Sequence, residues 1–238
     1  MKSDRRLAVI AGVLFIVATV ASLLSIVFLG SVDGQDYLVD VSASGHQVAV
    51  GALLLLIAAF ASASIAIALY PVLRRYRGGL ALGAVGFRLI EATLYIIGVI
   101  SVLSLLTLSQ EFVRSGAHEV ANYDNVGKLL QSVHDWAGLL GALTAYVGVT
   151  LYYCIFYISR IVPRWLTIWG IAGVVLGFVA ALLVMFGAIG YMSTGQAVLN
   201  VPFGVSEIVL AIWLIAKGFK TAGGSTPRVH QATAGSPE

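Results

Sequence analysis

The chain has 238 residues, of which 59% are apolar and only 11% charged, and its formal charge is +3 at pH 7. Soluble domains carry about 25% charged residues, so this composition excludes one and, with no long polar block, predicts a single membrane domain. The lone cysteine, Cys154, excludes an internal disulfide and any Cys-x-x-Cys metal or redox site. The excess of Lys and Arg is better explained by membrane topology than by nucleic acid.

Apolar runs of membrane length succeed one another along the chain. The first, 7–29, follows the basic residues Lys2, Arg5 and Arg6. It exceeds the roughly 7 to 15 residues of a signal-peptide core, and no Ala-x-Ala site follows, so it is expected to be a retained helix. A polar loop from Ser31 to His46, with Asp33, Asp36 and Asp40, leads to the second span, 47–70, whose Ala58, Ser62 and Ala66 form a face on which another helix can pack closely. Pro71 is expected to end that span. The basic turn Arg74-Arg75-Tyr76-Arg77-Gly78-Gly79 introduces the third span, 80–108.

In the long connection that follows, residues 123–135 place Val126, Leu129, Leu130 and Val133 at the spacing of an amphipathic helix, expected on the outer membrane surface and running into the next span. The fourth span is 136–158, and Arg160 to Arg164 make a tight basic turn. The fifth, 165–190, opens on Trp165 and Trp169 at headgroup depth and carries Gly173-x-x-x-Gly177. The sixth is 201–216. The Gly-, Ser- and Pro-rich tail, 221–238, lacks an apolar pattern and is expected to be disordered.

The expected fold is therefore all-α, a polytopic bundle of six transmembrane helices. Most of the 14 Lys and Arg lie at the two termini and in the 71–79 and 159–164 turns, whereas the alternate loops hold Arg114 and Lys128. Such a bias places both termini in the cytoplasm.

The remaining cation, Arg88, sits inside the third span with Glu91. At a helix centre the pair would cost about 6 kcal/mol if left unsatisfied, because each charge costs roughly 2.5 to 3.5. The apolar residues between Leu80 and Leu106 contribute roughly 5 to 9 kcal/mol in the other direction, so the helix can insert. Ala84, Arg88, Glu91, Tyr95 and Gly98 form one helical stripe, which should face protein rather than lipid. Glu207, in the last span, is expected at nearly the same depth as Glu91. Arg88, Glu91, Tyr95 and Glu207 are thus the candidate ligand-binding residues, with Glu207 the expected cross-helix partner of Arg88. A buried ion pair that only fixes two helices together is the competing explanation.

Four stretches have a family resemblance: Leu69-Tyr70-Pro71-Val72-Leu73-Arg74-Arg75-Tyr76, Gly86-Phe87-Arg88-Leu89-Ile90-Glu91-Ala92, Val162-Pro163-Arg164-Trp165-Leu166, and the segment from Glu207 through Trp213 to Lys217-Gly218-Phe219. Over roughly residues 7 to 219 the chain resembles the bacterial membrane family catalogued as domain of unknown function 4386. The resemblance implies a prokaryotic six-helix membrane protein, and hence a bacterial cytoplasmic membrane, but no activity.

Other constellations are weaker. His46 and His134 fall on the outer side without a second ligand at helical spacing, so no metal or haem is expected. Tyr146, Thr150, Tyr153, Cys154 and Tyr157 form a hydroxyl-rich stripe that could line a pathway or belong to an aromatic belt. Arg74, Arg75, Arg77, Arg160 and Arg164 could meet anionic lipid headgroups or merely set topology. No nucleotide-binding loop or nucleophile elbow is present, and no cofactor, catalytic residue or nucleic-acid partner is indicated. The sequence points to a non-catalytic binder of a small amphipathic or lipid-like molecule, or a membrane scaffold. A proton-coupled transporter using Glu91 and Glu207, and an intramembrane enzyme using the same acids, remain as alternatives.

Overall fold

A computed structural model describes residues 2–34, 36–116 and 120–220. Among them are six α-helices and no strand: α1 (Lys2–Phe28), the short α2 (Tyr37–Ala43), α3 (Gly45–Arg114), α4 (Val120–Ser159), α5 (Arg164–Met185) and α6 (Thr194–Ala216), with one 3-10 turn at Gly30–Asp33. All but α2 are long and apolar enough to cross a membrane. Helices are what lipid allows, since each backbone N–H and C=O must be satisfied within its own segment. The tail 221–238 lies outside the described residues.

A straight 70-residue helix would be about 105 Å long, far more than a bilayer. α3 instead breaks at Arg77, where φ is −147° and ψ 87°, and its two limbs fold back on each other. Ala59 and Ala63 of the first limb meet Ala92 of the second, and Ser62 Oγ donates to Glu91 Oε1 at 2.9 Å. Ala58, Ser62 and Ala66 are all buried. The break comes six residues after Pro71, which was expected to end the helix. Proline removes one N–H but is tolerated inside a membrane helix where the freed carbonyl finds another partner.

Other boundaries differ for physical reasons. The 31–46 connection is not a bare loop: α2 buries Tyr37, Leu38 and Val41. Tyr37 donates to the backbone and side-chain oxygens of Asp124 at 3.1 Å each. Loss of water and the neighbouring Asp124 carboxylate push its phenol up to about 12, so it remains a donor at ordinary pH. Residues 123–135 run straight into the fourth span as the first part of α4, docked on the second limb of α3 through Ser101 Oγ, which donates to Leu130 O at 2.6 Å, and the Phe112–Tyr123 ring contact. α5 stops at Met185, with Gly187 in the left-handed region at φ +71°. α6 starts seven residues before 201, because Ser193 caps it by accepting from Gln196 N, while Gln196 Oε1 reaches back to accept from Met192 N, one residue before the cap, at 2.7 Å.

One end of the bundle collects the basic segments. Arg5 donates to Leu214, Ile215 and Ala216 carbonyls at 3.0, 2.6 and 3.3 Å, meeting the unpaired C-terminal carbonyls of α6 with a cation. Arg75 makes two 2.9 Å bonds to Asp4, and Lys220 N donates to Ile161 O at 2.8 Å. The opposite end holds α2, Asp124, Gln131 and the α5–α6 connection.

Candidate functional site

The stripe from Ala84 to Gly98 turns inward, as its spacing predicts. Ala84, Arg88, Glu91 and Gly98 are buried and Tyr95 is half-buried, whereas Leu82, Leu89, Ile90 and Ile97 on the same helix are exposed. Gly148 on α4 makes room for this stripe, since a Cβ there would lie 3.3 Å from Arg88 Cγ.

Arg88 pairs with Glu91, not with Glu207. Arg88 Nη1 lies 3.0 Å from Glu91 Oε2, three residues along the same helix, and both side chains are nearly inaccessible (6% and 5%). The expected cross-helix partnership is therefore overturned: the i, i+3 spacing already brings the guanidinium to the carboxylate, and Ser62 supports the other carboxylate oxygen. Glu207 is left partly exposed, and among the described residues only the Tyr152 hydroxyl donates to its Oε1, at 3.4 Å. Among the described residues no cation lies within ion-pair distance of it. Arg88 Nε is buried, with no hydrogen-bond partner among the described residues.

Arg88, Glu91, Tyr95 and Glu207 all line one cavity of about 200 Å³ between α1, the two limbs of α3, α4 and α6. Phe15, Tyr146 and Phe203 supply aromatic walls, and Thr19, Ser22 and Ser62 supply hydroxyls. A second cavity of about 210 Å³ adjoins it on the side away from the basic end. The two share Ser22, Tyr95, Ala142 and Tyr146. Tyr146 OH donates to Asn200 Oδ1 at 2.5 Å across this junction, and Asn200 Nδ2 donates to Gln196 O. The two adjoining cavities, taken here as two chambers, lie between the α5–α6 connection and the buried charges, with Ser22, Tyr95, Ala142 and Tyr146 where they meet.

Of the hydroxyl-rich stripe on α4, Tyr146 alone lines both chambers, while Tyr153 is packed in the core and Tyr157 is exposed. Tyr152, Asn200 and the aromatic wall Phe15 are not singled out by sequence. They carry no charge and match ordinary core or cap residues in spacing. His134 lines the outer chamber, its Nδ1 3.2 Å from Gly98 O, and His46 is exposed elsewhere. Among the described residues no group of three or more His, Cys, Asp or Glu could hold a metal ion. Arg74, Arg75, Arg77, Arg160 and Arg164 are exposed. Arg74 and Arg164 lie 5.8 and 5.6 Å from the ring centres of Tyr70 and Tyr157, a cation–π placement that holds each basic head beside an aromatic ring.

An apolar helical bundle with a buried charged pair on the wall of an internal cavity defines a helical, membrane-embedded protein with an internal polar centre. The chain belongs to the family described as domain of unknown function 4386, whose pattern it matches over residues 10–218. No curated protein and no solved structure matches it.

Proposed function

We propose that this protein binds a small amphipathic or lipid-like molecule in the two-chambered hollow, without catalysing a reaction on it. The observation that carries this is the hollow itself. Its inner chamber combines apolar and aromatic walls with a few convergent polar groups, Arg88, Glu91 and Glu207, as small-molecule sites do. A scaffold that used Arg88 and Glu91 only to lock helices would gain nothing from a hollow beside the pair. In this reading Arg88, Glu91, Tyr95 and Glu207 are the ligand-binding residues. Proton-coupled transport is a second reading, favoured by Glu207 standing on the cavity wall without a cation.

Binding is tested by plugging the junction. Ala142 lines both chambers, so Ala142→Trp should abolish a non-covalent small-molecule adduct that native mass spectrometry finds on the wild-type protein extracted in its own lipid. No adduct on the wild type, or one that survives in the variant, would leave the scaffold as the better account.

The chain crosses a bacterial cytoplasmic membrane six times in this proposal, counting the limbs of α3 separately, with both termini and the basic end in the cytoplasm. The support is the clustering of Lys and Arg at one end. Those arginines would also meet anionic lipid headgroups. In a Cys154→Ser background, Gly34→Cys and Asn122→Cys should react with an impermeant thiol reagent in intact cells and Gly78→Cys should not. The reverse pattern would invert the protein.

A further inference from the structure

We infer that the inner chamber takes an organic monocation, with its ammonium group against the Glu207 carboxylate. The inference deepens the binding function proposed above and rests on it. The charge arrangement comes first. Arg88 is answered by Glu91 at 3.0 Å, and the second Glu91 oxygen is held by Ser62. Glu207 then stands as a surplus carboxylate on the chamber wall, with one long hydrogen bond from Tyr152. In a setting of low dielectric a lone carboxylate is poorly screened and favours a positive neighbour.

The walls agree with that sign. Phe15, Tyr95, Tyr146 and Phe203 all line the chamber, and Tyr146 and Phe203 meet edge to face, 5.4 Å between centres at 79°. Aromatic faces attract ammonium groups. An anion would have to compete for Arg88 with Glu91, already 3.0 Å from it. A divalent metal ion lacks its ligands among the described residues. A chamber of about 200 Å³ walled largely by carbon suits an alkyl- or arylammonium better than a bare alkali ion. The apolar remainder of such a molecule would extend past Tyr95 and Tyr146 into the outer chamber, where Ile26, Leu29, Leu55 and Leu139 form much of the wall.

The test uses the whole protein in nanodiscs of zwitterionic phosphatidylcholine, titrated calorimetrically with benzyltrimethylammonium, benzyl alcohol and benzenesulfonate. Saturable binding of the cation, at least tenfold tighter than either counterpart, is expected. Glu207→Gln, nearly isosteric, should weaken it at least tenfold, and Phe203→Leu should weaken it severalfold, with thermal melts confirming that both variants fold. The alcohol or the sulfonate binding as tightly as the cation would overturn the inference while leaving an amphipathic ligand site in place. Undiminished cation binding by Glu207→Gln would overturn it too. If none of the three probes binds, the cation assignment falls, and the adduct test with Ala142→Trp decides the broader binding function separately.

Discussion

Replacing Arg88 with methionine should lower thermal stability in detergent by of order 10 °C, from a loss of about 3 to 5 kcal/mol, because it strands the Glu91 carboxylate inside the bundle. The geometry specifies the rescue. Arg88→Met with Glu91→Gln should recover most of the loss, since Gln keeps an oxygen to accept from Ser62 Oγ and no longer needs a cation. Arg88→Met with Glu207→Gln should recover much less, because Glu207 is not within ion-pair distance of Arg88. Melts of the two double variants check this. Equal rescue by both would mean that Arg88 serves the two acids jointly.

The second large effect is expected where α5 and α6 touch. A Cβ on Gly173 would stand 2.7 and 2.8 Å from Phe203 Cα and N, and backbone cannot move aside as a side chain can. Gly173→Ala should therefore cost about 1 to 3 kcal/mol by forcing the helices apart. Leu176→Ala, at a residue 38% exposed on the same helix, should cost clearly less in the same melts. Gly177 differs from Gly173 although the sequence treats them alike. Its Cβ would meet the ring of Tyr146 at 2.7 Å, which can turn at the expense of the bond to Asn200. Gly177→Ala should then disturb the junction between the chambers more than the helix packing. If Gly173→Ala melts no lower than Leu176→Ala, the α5–α6 contact is looser than drawn.

The inward stripe of α3 could be read from spacing alone, because a helix turns a known angle per residue and two charges in an apolar span must share the protected face. The gathering of basic segments at one end could be read from their alternation along the chain. The partner of Arg88 could not. Depth along α6 follows from counting residues, but the rotation of α6 about its own axis is set by packing that no periodicity in one helix encodes. The same limit hid Tyr152, whose neighbours on α4 are equally aromatic. Ser193 and Gln196 form a capping pair visible in sequence, yet apolarity alone put the start of α6 at 201. Pro71 looked like a terminator because proline usually is one in water, a rule that weakens in membrane helices.

The bond between Arg5 and the end of α6 also bears on how the molecule is assembled. Arg5 of α1 is held by carbonyls of residues 214–216, which are synthesised some 210 residues later. At about 5 to 20 residues per second, some 10 to 40 s separate the two. Through that interval Gly12, whose close neighbours are Ala211 and Ile215, has no surface to dock on. α1 must wait in the bilayer beside α3 until the ribosome has finished α6, and only then can the wall of the inner chamber close.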